Sequence, residues 1–190
     1  MFFDRKPKPA PQEDLANLKV QHSQVRDTLS VQGAADDFSD IDFTVDRRDT
    51  YEAGGNQWFE VSGPWRDHRV YLEIHAVDTV EVFGNFDGRR LALDAFGLTE
   101  EDLGEIDARQ NPSDFLDFEG KFWLYRFSRE IGIFSEAGES SNTGRGFYCW
   151  QFQEQDGKRH LSVRKFEGDP FSASIWTKIE PNDITLFRGA

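Results

Sequence analysis

In Val70-Tyr-Leu-Glu-Ile-His75 apolar and polar positions alternate strictly, placing Val70, Leu72 and Ile74 on one face of an extended chain and Tyr71, Glu73 and His75 on the other. Runs of the same kind predict strands over 42–47, 57–62, 69–77, 79–84 and 89–93. Turn chemistry separates them: Glu52-Ala-Gly-Gly-Asn56, Ser62-Gly-Pro64 and Asn85-Phe-Asp-Gly88. A second set follows at 121–128, 145–153, 158–166, 173–178 and 183–187, with the Asp-Gly of a tight hairpin in Gln155-Asp-Gly-Lys158. The stretch from 138 to 146 reads as a Ser/Gly-rich loop.

Between the two sets one helix is predicted over 100–108. Thr99 stands at its N-cap, Asp102 at the reciprocal capping position, Leu98 and Leu103 at the staple positions, and the first turn is acidic. Ahead of the first set, the proline-rich, charged segment 1–14 reads as a flexible leader. Residues 15–31 read as an irregular or helical lead-in and a strand near 28–32, and 34–42 as an acidic connection. The expected organisation is therefore a leader (1–14), a first β-rich half (15–93), a helical connection (94–113) and a second β-rich half (114–190). The fold class is all-β or β-dominated, with antiparallel sheets forming two similar small open barrels or sandwiches joined by one short helix.

The halves show a weak internal repeat. Trp58-Phe-Glu-Val61 and Tyr71-Leu-Glu-Ile-His75 can be laid on Cys149-Trp-Gln-Phe152 and His160-Leu-Ser-Val-Arg164. The alternation then puts Phe59, Leu72, Trp150 and Leu161 in the core.

Composition narrows the function. The chain has 190 residues, with 35 acidic side chains against 22 Lys and Arg for a net charge of −13. No basic cluster exists to neutralise phosphates, which excludes general nucleic-acid binding and disfavours anionic membranes. No apolar run is long enough to span a bilayer, and one cysteine cannot close an internal disulfide, so a cytoplasmic protein is expected. Eighteen Phe, 5 Trp and 4 Tyr favour pleated, half-buried surfaces.

Candidate chemistry is sparse. His22, His68, His75 and His160 lack metal-site spacing, so no metal and no cofactor are expected. Cys149, in an aromatic strand, reads as a buried inert thiol, and Ser140 and Ser141 as loop residues. No catalytic residue is assigned. Trp58, Glu60, Tyr71, Glu73 and His75 share one hairpin face, with carboxylates beside rings as in glycosidases and in cation or polyamine sites. The alternative is an ordinary wet sheet face.

Phe43-Thr-Val-Asp-Arg-Arg-Asp-Thr-Tyr-Glu-Ala-Gly-Gly-Asn-Gln-Trp-Phe-Glu60, Arg69-Val-Tyr-Leu-Glu73, Tyr125-Arg-Phe-Ser-Arg-Glu-Ile-Gly132, Phe147-Tyr-Cys-Trp-Gln-Phe152 and Arg159-His-Leu161 carry a resemblance. From roughly Val20 to Phe187 the chain resembles the bacterial domain-of-unknown-function family 4178. The resemblance implies a β-rich domain encoded near phage-shock-type, membrane-remodelling and stress proteins, and it supplies no catalytic residues. The expected function is thus a noncatalytic acidic interaction module in a membrane-stress system, with a phage-shock-type protein partner. The alternative is a small-molecule- or cation-binding protein, or a hydrolase, using the 58–75 face. A concave cluster of those side chains would favour the alternative, and a flat apolar patch the module.

Overall fold

The structure, a computed structural model, describes residues 18–135 and 145–189. The expected leader and most of the Ser/Gly loop, including Ser140 and Ser141, lie outside the described residues. A one-turn helix at Val20–His22 precedes β1 (Thr28–Val31) and β2 (Ile41–Thr44). A four-strand meander follows in β3 (Arg47–Ala53), β4 (Asn56–Trp65), β5 (His68–Ala76) and β6 (Val80–Asn85). After a short turn at Leu93–Phe96 come α1 (Glu100–Arg109) and β7 (Phe115–Phe118). The second meander is β8 (Lys121–Ser135), β9 (Arg145–Glu154), β10 (Arg159–Phe166) and β11 (Ser172–Ile179), and β12 (Ile184–Phe187) ends the described chain. No helix among these residues is long and apolar enough to cross a membrane.

The fold is β-dominated and antiparallel, but the halves do not form two barrels. The edge strands of each meander pair with their counterparts in the other, β6 with β11 and β3 with β8, so that the eight strands close into one barrel. Closure removes edges that two separate four-stranded sheets would expose. The hairpins superpose in the register of the repeat: Phe59 pairs with Ile74 and Val61 with Leu72, as Trp150 pairs with Val163 and Phe152 with Leu161.

The barrel carries its apolar faces outward, beneath two covering layers. Over the first half, β12, β1 and β2 form a separate sheet whose Leu29, Val31, Ile41, Phe43 and Leu186 pack on Phe59, Val61, Leu72 and Ile74. Gly63 permits the approach of β2 to the wall, since a Cβ there would lie 2.0 Å from the Thr44 carbonyl oxygen. Ser62-Gly-Pro64, expected as a turn, is therefore strand interior. Over the second half, Leu103 and Ile106 of α1 pack with Leu116 and Trp123 on Trp150, Phe152 and Leu161. The helix begins at the expected capping box, Thr99 donating its backbone N–H to Asp102 at 2.7 Å and accepting from the Asp102 N–H at 3.1 Å. Asp107 then anchors it by accepting from the Tyr148 hydroxyl at 2.9 Å and from the Ser128 hydroxyl.

Phe59, Leu72, Trp150 and Leu161 are buried as expected, under these layers on the outside of the wall. Two further expectations are corrected. Residues 89–93 hold only an isolated bridge from Leu91 to Ala173, and β3 and β7, neither expected over its observed span, are strands.

Candidate functional site

With these two apolar layers outside, the lumen holds the alternating polar and aromatic residues together with a third buried cluster that includes Tyr51, Trp58, Ile131, Phe147 and Cys149. The wet face expected on β4 and β5 is accordingly enclosed: Glu60 is 5% exposed, Glu73 7% and Trp58 8%. Glu60 and Glu73 are direct cross-strand partners, an arrangement that like charges disfavour unless a cation lies between them and water. Arg164 of β10 supplies it. Its guanidinium lies 3.4 Å from Glu60 Oε2 and 3.4 Å from Glu73 Oε2, and donates to the Tyr51 hydroxyl at 3.3 Å. The rings of Tyr51, Phe147 and Trp176 surround it at 5.3 to 5.5 Å from their centroids.

The two carboxyls differ because their partners differ. Burial raises both, but Glu73 also accepts from His75 at 2.7 Å, and this bond with the charges of His75, His160 and Arg164 holds it down at about 2. Glu60 has no such bond, and burial pushes it up against the pull of Arg164, with the charge of Glu73 adding to the rise. Burial opposes the charge on Arg164, but Tyr51, Glu60 and Glu73 outweigh it and raise its proton affinity.

Above this cluster the lumen opens into a cavity of about 550 Å³, lined by Trp58, His75, Phe83, Phe127, Arg129, Gln151 and His160 among others. Trp58 stacks on His75 with centroids 5.4 Å apart. The hydrogen-bonded wall is interrupted beside the cavity. β8 pairs with β3 only over 132–135 and with β7 only over 121–124, so among the described residues that edge lacks a strand partner from 126 to 131. Trp58, Phe127 and Arg129 all line the cavity.

Two nitrogens of residues that line this space are buried without hydrogen-bond partners among the described residues, Arg129 Nε and His160 Nδ1. Arg129 lies with its guanidinium 4.1 Å over the Phe127 ring. Burial pushes the His160 imidazole down to about 4 from the ordinary 6.5, against the pull of Glu73. The unfolded chain therefore takes up this proton first. Stability should be full above pH 6.5 and fall by roughly 3 kcal/mol as pH drops from 6.5 towards 4. Denaturant titrations across that window should show the loss, and His160→Gln should flatten it; an equal slope in the variant would place the titration elsewhere.

Of the five residues proposed from sequence, Trp58, Glu73 and His75 line the cavity, and Glu60 joins from the Arg164 cluster. Tyr71 sits apart, under the Arg90 guanidinium at 4.5 Å and beside Trp176. Arg164, Arg129 and His160 were not among the five. The repeat held one signal, for it lays Arg164 on His75, whereas a register shift between Tyr125 and Phe127 breaks the alternation that would have shown Arg129 and Phe127 facing inward.

Cys149 is buried within hydrogen-bond reach of Ser162, at 3.4 Å, and burial pushes its thiol up, the condition of an unreactive cysteine. Among the described residues no three His, Cys, Asp or Glu side chains gather as a metal-binding set. In comparisons with protein-family models, curated proteins and solved structures, nothing matches this chain.

Proposed function

We propose that this protein is a noncatalytic small-molecule-binding barrel that takes its ligand into the lumen, beside the stretch of β8 from 126 to 131 that lacks a strand partner among the described residues. The observation that carries the reading is the enclosed cavity of about 550 Å³ with the aromatic side chains Trp58, Phe83 and Phe127 in its lining. A concave space of this size, lined by aromatic rings with a few polar groups, is the usual form of a small-molecule site. The hydrolase alternative is less well supported, because Arg164 engages both Glu60 and Glu73 and His75 also holds Glu73. The module reading, with its phage-shock-type partner, rests on surface charge and on the family resemblance; the concave cluster of Trp58, Glu73 and His75 favours a ligand.

The neutral dye Nile red tests the lumen without presuming the ligand's charge. It should bind saturably, near one equivalent, with fluorescence enhancement. Gln151→Trp, which fills the cavity from a half-buried strand position, should abolish the binding while far-UV circular dichroism and Tm stay near those of the parent. Absence of saturable binding, or equal binding by the folded Gln151→Trp protein, would overturn the proposal.

A further inference from the structure

We infer that the lumen takes an uncharged ligand whose polar head sets a hydrogen-bond donor beside an acceptor, as a carboxamide does, and that Gln151 holds that head. The inference rests on the lumen being a ligand site and adds the class of ligand.

Charge sets the first limit. The lining carries three acidic side chains, Glu73, Asp78 and Glu81, against three basic ones, Arg129, Arg164 and Lys178. The deep ones answer one another inside the barrel: Arg164 lies 3.4 Å from Glu60 and 3.4 Å from Glu73, and Glu73 also accepts from His75 at 2.7 Å. Lys178 meets Glu81 at 2.7 Å. Asp78 is exposed and Arg129 part-exposed, so water reaches both. An ion entering this balanced space would shed its hydration without gaining a counter-charge, a cost that an uncharged ligand avoids.

Hydrogen bonding sets the second. Gln151 stands in the middle of β9, in register between Phe127 of β8 and Ser162 of β10, and lines the cavity. Its neighbours Trp150 and Phe152 pack outward with Leu103 and Ile106 of α1, and the alternation turns Gln151 inward. The other glutamines of the lining are engaged. Gln57 donates to Glu52 at 3.3 Å, and Gln153 accepts from Arg126 at 2.8 Å and donates to the Gly157 carbonyl at 3.4 Å. Gln151 is half-buried, and its amide makes no hydrogen bond among the described residues. A side-chain amide holds donor hydrogens and an acceptor oxygen in one plane, so a ligand carboxamide meets it with two parallel bonds, one in each direction. A carboxylate brings acceptors alone and an ammonium donors alone, and neither closes that pair.

Both faces of Trp58 are covered, by Tyr51 at 5.7 Å and by His75 at 5.4 Å, so the probes carry a flexible chain in place of a ring that needs an open face to stack. Octanamide, octanoate and octylammonium differ only at the head, and each is titrated by calorimetry into the whole protein at neutral pH. Octanamide should occupy one site and bind about tenfold more tightly than either ion, or better. Gln151→Met keeps the length of the side chain and removes the amide; it should lose about fivefold or more for octanamide. Should Gln151→Met fail to fold, Gln151→Glu, which keeps the size and removes the donor, should show the same loss. Failure of octanamide to bind, an ion binding as tightly as octanamide, or unchanged octanamide binding by the folded Gln151 variant would overturn the assignment. If Nile red still binds the parent protein saturably in such a case, the lumen reading survives; loss of both overturns the two together.

Discussion

Replacing Arg164 with methionine is expected to destabilise the protein by about 3–5 kcal/mol, the range found when one partner of a buried ion cluster is removed. Methionine conserves much of the packing among Tyr51, Phe147 and Trp176, so the loss is electrostatic. Glu60 and Glu73, at 5% and 7% exposure, would be left side by side without the cation they share. Two further measurements separate this from simple repacking. Adding Glu60→Gln and Glu73→Gln to Arg164→Met should recover most of the loss in denaturant unfolding. The cost of Arg164→Met should also shrink as pH is lowered, because burial already favours the protonated form of Glu60. A cost under about 1 kcal/mol at neutral pH would show that the cluster is hydrated.

The second large effect is expected at Trp150. Its indole is 8% exposed, donates from Nε1 to the Leu103 carbonyl at 3.1 Å, and packs on Tyr148 at 4.6 Å. It is both wall and anchor for α1. Trp150→Ala should cost about 3–5 kcal/mol, a large part of the 5–15 kcal/mol that stabilises a typical domain. Trp150→Phe keeps a ring and loses only the hydrogen bond to a carbonyl that retains its intrahelical partner, and should cost about 0.5–1.5 kcal/mol. Thermal and denaturant unfolding measure both. An alanine variant within about 1 kcal/mol of the parent would mean that α1 is not docked through this residue.

The strands of both hairpins were legible because Val70 to His75 and Cys149 to Phe152 alternate cleanly, and α1 because Thr99 and Asp102 announce its start. Alternation identifies two faces without saying what covers either. The outer cover on Phe59 and Leu72 comes from β1, β2 and β12, and the enclosure of Glu60 and Glu73 comes from seams joining β3 to β8 and β6 to β11. None of these pairings leaves a local mark. β3 escaped notice because Arg47-Arg-Asp-Thr50 looks like a solvated connection, although Asp49 is 4% exposed. β7 is only four residues long. The site was half legible for the same reason: its carboxylate side lies on one regular hairpin, and its guanidinium side lies on strands brought opposite only by closure.

The pairing of β1 with β12 also sets an order of events during synthesis. Val31 and Ile184 are register partners separated by 184 − 31 = 153 positions, and β1 is the central strand of its sheet. Until the ribosome has released the segment containing Ile184 to Phe187, one edge of β1 has no partner. The outer apolar wall over the first half then has only an incomplete roof. Such distant pairings raise contact order and slow folding. The nascent chain therefore carries Phe59, Val61, Leu72 and Ile74 under partial cover until Ile184 to Phe187 have been made, and that strand completes the cover.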